Sequence, residues 1–307
     1  LSAFILFIGA IRQFTESVKT IVQTVAYVEE LSDYYSDYKI FMDTPENMLH
    51  SGTQKNLINF DIELKNVSFK YPNSNVFAIK NINLKIPYGS KVAIVGDNGS
   101  GKSTLVKVLC RLFDTSEGDI LIGDTNVKDI DYKEYMKCFS PVFQDFMLHA
   151  FSIRENIAFD EELDEQRTWS LLNNYKLGDI IKTCPNQLDT FVTKTIEPDG
   201  RDFSGGEKQH LATVRALYKN ANIFILDEPT SAIDPVSEYE YYKMFHKDTI
   251  GKTVIYITHR MASAKFADFI VVMDKGEIAE MGCFDELIKS NGLFAKAFEL
   301  QAEYYEK

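Results

Sequence analysis

Lys91-Val92-Ala93-Ile94-Val95-Gly96-Asp97-Asn98-Gly99-Ser100-Gly101-Lys102-Ser103-Thr104 decides the fold. After Lys91, Val92 to Val95 are an apolar run of the kind found in a buried strand. They run straight into the pattern GxxxxGK[ST], matched by Gly96, Gly101, Lys102 and Ser103. Residues 104–113 then read as a helix. Strand, glycine loop and helix in that order are what a phosphate-cradling loop requires. Glycines let backbone N–H groups converge on phosphate oxygens with no Cβ in the way. The helix that starts near Lys102 adds its positive end. Gly96, Asp97, Asn98, Gly99, Ser100, Gly101, Lys102, Ser103 and Thr104 are therefore the expected nucleotide-binding loop. Lys102 is expected to reach the β- and γ-phosphates, and Ser103 to hold Mg²⁺.

Further along, Ile223-Phe224-Ile225-Leu226 is a second apolar strand, and it ends in Asp227-Glu228. A strand of an open α/β sheet carries such residues to its C-terminal edge, where ligands bind. Asp227 is expected to contact Mg²⁺ through water, and Glu228 to polarise the water that attacks the γ-phosphate. Between the two strands lies Phe203-Ser204-Gly205-Gly206-Glu207, directly before a helical run over 208–218. Two glycines at a helix start make a second anion-binding position.

Together these stretches resemble the nucleotide-binding half of an ATP-binding-cassette (ABC) protein, and the resemblance covers residues 60–300. Ser204, Gly205, Gly206 and Glu207 match its signature, usually LSGGQ, with Phe203 and Glu207 as departures at the two ends. The resemblance implies a phosphate-loop fold: an α/β cassette with a RecA-like core, an antiparallel β subdomain and an inserted helical subdomain. It also implies that the signature faces the phosphate loop of a second cassette, so that two ATP molecules lie between two domains. Four more residues fall in the family's order. Tyr71 matches the aromatic that stacks on adenine, and Gln144 the glutamine that contacts Mg²⁺ and the attacking water. Asp234 matches the aspartate of the dimer-interface loop, and His259 the histidine that contacts the γ-phosphate. Glu228, His259, Lys102 and Gln144 are thus the implied catalytic set, with ATP and Mg²⁺ as cofactors. The segment Thr195-Ile196-Glu197-Pro198-Asp199-Gly200 lacks the exporter pattern ahead of the signature. The extra negative charge of Glu207 is expected to be tolerated because Lys208 lies beside it.

The N-terminus points to a branch of the family. Residues 1–11 carry no charge, and Ile11, Phe14, Val18, Ile21, Val22, Val25 and Val28 continue as a stripe at steps of three and four. Eleven residues fall short of the ~20 needed to span a bilayer. A helix over 1–42 would nevertheless run ~60 Å. The expectation is that 1–45 is the cytoplasmic end of a last transmembrane helix with its extension. A linker at 46–59, the cassette at 60–300 and a tail at 301–307 follow, and the C-terminal stretch 284–305 reads as helical. That arrangement resembles an exporter half-transporter in a cell membrane, with a membrane domain, the lipid bilayer and a second cassette as partners. The alternative is a soluble regulatory or assembly ATPase whose N-terminal helix binds a partner helix.

Composition is compatible with this. Of 307 residues 45% are hydrophobic and 25% charged, as in an ordinary globular chain. A net charge of −12 argues against a nucleic-acid surface, which needs basic residues to displace counterions. The four cysteines, Cys110, Cys138, Cys184 and Cys283, have no metal-like spacing and are expected to be buried reduced thiols.

Overall fold

The computed structural model describes residues 2–44, 48, 51–72, 74–159, 162–229 and 235–305. The chain divides into two units, Leu1–Met48 and Leu49–Lys307.

The first unit is one helix, α1 (Ser2–Met42), 41 residues without a break. Four hydroxyls on it fold back onto the preceding turn: Thr15 on Ile11, Ser17 on Gln13, Thr20 on Glu16 and Thr24 on Thr20, each to the carbonyl at 2.8–2.9 Å. The helix thus satisfies these four hydroxyls itself. Its apolar stripe, including Phe14, Ile21, Val22 and Val25, is exposed. No helix among the described residues is long and apolar enough to cross a membrane.

The second unit is built on two sheets. A six-stranded sheet has the order β10-β9-β3-β8-β7-β6. Its members are β3 (Lys91–Val95), β6 (Phe139–Val142), β7 (Ile223–Asp227), β8 (Thr253–Ile257), β9 (Phe269–Asp274) and β10 (Glu277–Gly282). All neighbours pair in parallel except β10, which is antiparallel to β9. A four-stranded antiparallel sheet has the order β2-β1-β4-β5, from β1 (Ile62–Phe69), β2 (Ile79–Ile86), β4 (Glu117–Ile122) and β5 (Thr125–Asn126).

Successive side chains of a strand point to opposite faces, and β3 uses both. Val92 and Ile94 belong to the core shared with β1, β2 and helix α2 (Lys102–Leu109). Ala93 and Val95 belong to the core shared with α4 (Ile153–Ala158), α5 (Glu165–Asn174) and α7 (Gly205–Lys219). Every one of the four is at most 1% exposed. Full burial of a Val or Ile side chain contributes about 1.5–3 kcal/mol, so this strand is anchored from both sides.

Three expectations are corrected here. The helix expected over 104–113 ends at Leu109, because Cys110 caps it and Arg111 takes a φ of 51°. The helical tail is two helices, α9 (Phe284–Lys289) and α10 (Leu293–Tyr305), parted at Asn291, whose φ is 54°. All four cysteines are free, but Cys283 is only half-buried.

Candidate active site

β3 delivers the chain to Gly96 at the C-terminal edge of the large sheet. Gly96 has a φ of 144°, and a Cβ there would lie 2.2 Å from the Met273 carbonyl oxygen. Gly101 has a φ of 102°, and its Cβ would meet the Ala78 carbonyl oxygen at 2.8 Å. Both positions accept only glycine. Gly101 is also the residue before α2, and it offers no side chain to cap the helix. The first N–H groups of α2 are left to find partners elsewhere. Lys102 is 5% exposed and lies along the loop, with Nζ donating to the carbonyls of Gly96 at 2.9 Å and Asp97 at 2.8 Å. Burial pushes its pKa down, against the opposing charges of Glu228, Asp227 and Asp97. Ser100 Oγ is buried and has no hydrogen-bond partner among the described residues. A buried cation, an orphaned hydroxyl and uncapped amides form a set that fits a polyphosphate.

The second half of the site comes from β7 and the segments beside it. Asp227 is 4% exposed, with Oδ1 at 3.5 Å from Ser103 Oγ. Burial raises its pKa, the neighbouring Glu228 raises it further, and Ser103, Lys107 and Lys102 oppose the rise. Ser103 and Asp227 place two hard oxygen ligands side by side, which suits Mg²⁺. No group of three or more His, Cys, Asp and Glu among the described residues could hold a metal ion by itself.

Glu228 has a φ of 50°, unusual for a side chain of its size, and its N–H is tied to the Ile257 carbonyl at 3.1 Å. The carboxylate is gripped from two sides. Gln144 Nε2 donates to Oε2 at 3.1 Å, and His259 Nε2 contacts Oε1. Gln144, Glu228 and His259 line one cleft of about 610 Å³ together with Lys102, Ser103 and Thr104. Residues separated by more than 150 positions in sequence thus meet at one sheet edge.

Tyr71 does not line that cleft; it joins it through Thr104, at 3.1 Å between the two hydroxyl oxygens, and packs edge-on against Phe69 and Phe113. Ser204, Gly205, Gly206 and Glu207 do not line it either. Asp234 lies outside the described residues.

Ser204 caps α7 in a reciprocal box: Glu207 N–H donates to Ser204 Oγ at 3.3 Å, and Ser204 N–H donates to Glu207 Oε2 at 2.7 Å. The expected partnership of Glu207 with Lys208 is not what forms. Glu207 pairs with Arg201, Nη2 to Oε1 at 3.3 Å, because its carboxylate turns back toward the helix start while Lys208 is exposed. Arg201 was invisible in sequence because the chain must fold back on itself to bring it there. The Ser204 N–H, followed by Arg201, holds the Glu207 carboxyl below its ordinary value of 4.5. A depressed folded-state value means that this contribution to stability is present above the unfolded value and lost as pH falls through the folded one. Glu207→Gln keeps an acceptor for the cap and removes the ion pair. It should cost under about 1 kcal/mol and change ATP turnover by less than about tenfold. Melting curves across the acid range should show a flatter pH dependence for the variant than for the parent.

Sequence also gave no sign of Gln301. It lies on α10, and its amide bonds the backbone of His259 and Met261. No local motif marks a contact between residues 42 positions apart.

The ABC transporter family model matches residues 79–231. The subtilin transport ATP-binding protein SpaT of Bacillus subtilis is 35% identical over 302 residues, which are 97% of this chain and 48% of that protein. The nisin transport ATP-binding protein NisT of Lactococcus lactis subsp. lactis is 35% identical across 89% of this chain and 45% of its own length. An ATP-dependent lipid A-core flippase of Cupriavidus pinatubonensis is 35% identical across 85% of this chain and 44% of its own length. A solved bacterial Atm1-family ABC exporter with ATP bound superimposes with a TM-score of 0.80 at 29% identity, over 89% of this chain and 48% of that one. The chain spans about half the length of the curated relatives it matches. With its glycine loop, strand-end carboxylates and capped signature helix on one cassette fold, the chain belongs to the ABC transporter family.

Proposed function

We propose that this chain is the ATP-hydrolysing cassette of an ABC exporter, and that two cassettes close on two ATP molecules to drive transport across a membrane. The observation that carries this is the Glu228 carboxylate, held between Gln144 and His259 at the cleft that contains Lys102. There Lys102 and the loop amides bind the phosphates, and Glu228 orients the attacking water and accepts its proton. Gln144 and His259 keep the carboxylate on station, and His259 contacts the γ-phosphate. Tyr71 packs on the adenine. Ser103 and Asp227, with Gln144 beside them, would hold Mg²⁺, and the ion would supply positive charge against the phosphate oxygens.

Pairing is supported by Gly205 and Gly206. Neither has a positive φ, and nothing lies within 4 Å of where a Cβ would sit. Glycine weakens a helix by about 1 kcal/mol relative to Ala, and the packing of this chain does not call for it. A surface that must be approached closely from outside does. Ser204, Gly205, Gly206 and Glu207 would face the phosphate loop of the second copy or of a related cassette, with Asp234 at the same interface. We assign 1–45 to the end of a transmembrane helix and its extension, 46–59 to a linker, 60–300 to the cassette on the cytoplasmic side, and 301–307 to the tail. Relatives named for subtilin, nisin and lipid A-core transport are equally similar. This fits a common motor whose cargo contacts lie outside it.

Closure follows if ATP has a higher affinity for the paired state than for the open one. An uncleavable triphosphate with Mg²⁺ should therefore roughly double the mass of the purified protein's cassette assembly in light scattering. A protein saturated with that analogue that stays unpaired would overturn the proposal.

A further inference from the structure

β8 ends at Ile257, so His259 leaves the sheet before it reaches Glu228. The last sheet-like bond is Thr258 N–H to the Ile94 carbonyl, at 3.3 Å. Beyond it the segment is held by side chains from two helices. One anchor is Glu238 on α8 (Pro235–Asp248), 3% exposed, which takes the Arg260 guanidinium and the Ser263 hydroxyl, the latter at 2.7 Å. The other is Gln301. Its Nε2 donates to the His259 carbonyl at 2.5 Å, and its Oε1 accepts from the Met261 N–H at 2.9 Å. One planar amide thus holds the backbone on both sides of Arg260.

We propose that Gln301 is a positioning residue for ATP turnover: its amide sets the height and rotation of the His259 backbone, and through it the contact of the imidazole with Glu228. The inference rests on the roles given above to Glu228 and His259. Gln301 is itself on a fixed element. Glu280 on β10 accepts from the N–H groups of Leu293 and Phe294 at the start of α10, and Phe294 is 1% exposed. One turn before Gln301, Ala297 lines a cavity of about 250 Å³ with Gly96 and Asp97 of the glycine loop. A site held by a rigid helix is more exact than one held by a loop. Only glutamine has the length with both a donor and an acceptor at its tip. Glutamate keeps the acceptor for Met261 but sets a carboxylate against the His259 carbonyl. Methionine keeps the length and loses both bonds.

The test compares Gln301→Met, Gln301→Glu and the parent protein. A displacement of about 1 Å at a reacting group costs up to about a hundredfold in rate. Gln301→Met should lower kcat by about tenfold while KM for ATP and affinity for an uncleavable analogue stay within about twofold. The ¹⁵N resonances of the His259 imidazole should shift in the same variant. Gln301→Glu should be at least as slow, and it carries the test if the methionine variant does not fold. Two results would overturn the inference. One is a kcat within about twofold of the parent in the folded variants. The other is a fall in kcat matched by equal losses of nucleotide affinity and melting temperature, which would make Gln301 a packing residue only. Glu228→Gln, measured in parallel, separates the two levels. If it leaves turnover intact, the role of Glu228 falls; if it stops turnover while the Gln301 variants turn over normally, only the role of Gln301 falls.

Discussion

Glu228→Gln should slow ATP hydrolysis by at least about a hundredfold while leaving nucleotide binding in place. The change is nearly isosteric. An amide can still meet Gln144 and His259, so the cleft keeps its shape. It cannot accept a proton from water, which is the role assigned to this carboxylate. Lys102 and the loop amides are untouched, so the triphosphate is still bound, and the paired state should accumulate because the step that ends it is blocked. Phosphate release gives the rate, equilibrium dialysis the binding, and light scattering the pairing. Unchanged phosphate release would remove Glu228 from the chemistry.

Lys102→Ala is expected to act earlier, on binding. Lys102 is the buried cation among the described residues of the glycine loop, and its charge is already disfavoured by burial. Losing charge-assisted hydrogen bonds to phosphate should weaken ATP affinity by about a hundredfold or more. The melting temperature in the absence of nucleotide should change little. The carbonyls of Gly96 and Asp97 lose a partner, but the cost of keeping an ammonium out of water disappears with it. Titration calorimetry separates this from Glu228→Gln: one variant binds and does not turn over, and the other does not bind. Equal affinity for ATP in the Lys102 variant and the parent would contradict the site as described.

The residues that sequence exposes best are those tied to a local pattern. Val92 to Val95 are apolar because both faces of β3 are covered, and Gly96 and Gly101 are glycine because a Cβ would strike a carbonyl. Asp227 and Glu228 follow an apolar strand and sit at its end. Elements that break the pattern were not seen. β4 begins Glu117-Gly118-Asp119, and β6 contains Pro141, which an edge strand tolerates because it need not donate on its open side. β10, at the opposite edge, exposes Glu277, Ala279 and Met281 and half-buries Ile278, Glu280 and Gly282, so its apolar residues do not keep to one face. Contacts made by chain folding left no mark either. The Arg201 pair with Glu207 and the Gln301 clamp on His259 each need the three-dimensional path of the chain, and neither residue type is unusual at a surface.

The double-sided packing of β3 has a mechanical corollary. A plank wedged between two close-packed layers has no slack, since interiors of this density resist compression. Whatever the nucleotide changes at the end of this plank must be taken up by the pieces that overhang its edge. If two cassettes pair as proposed, the sheet serves as an anvil, and displacement is channelled outward to the next molecule and not absorbed inside this one.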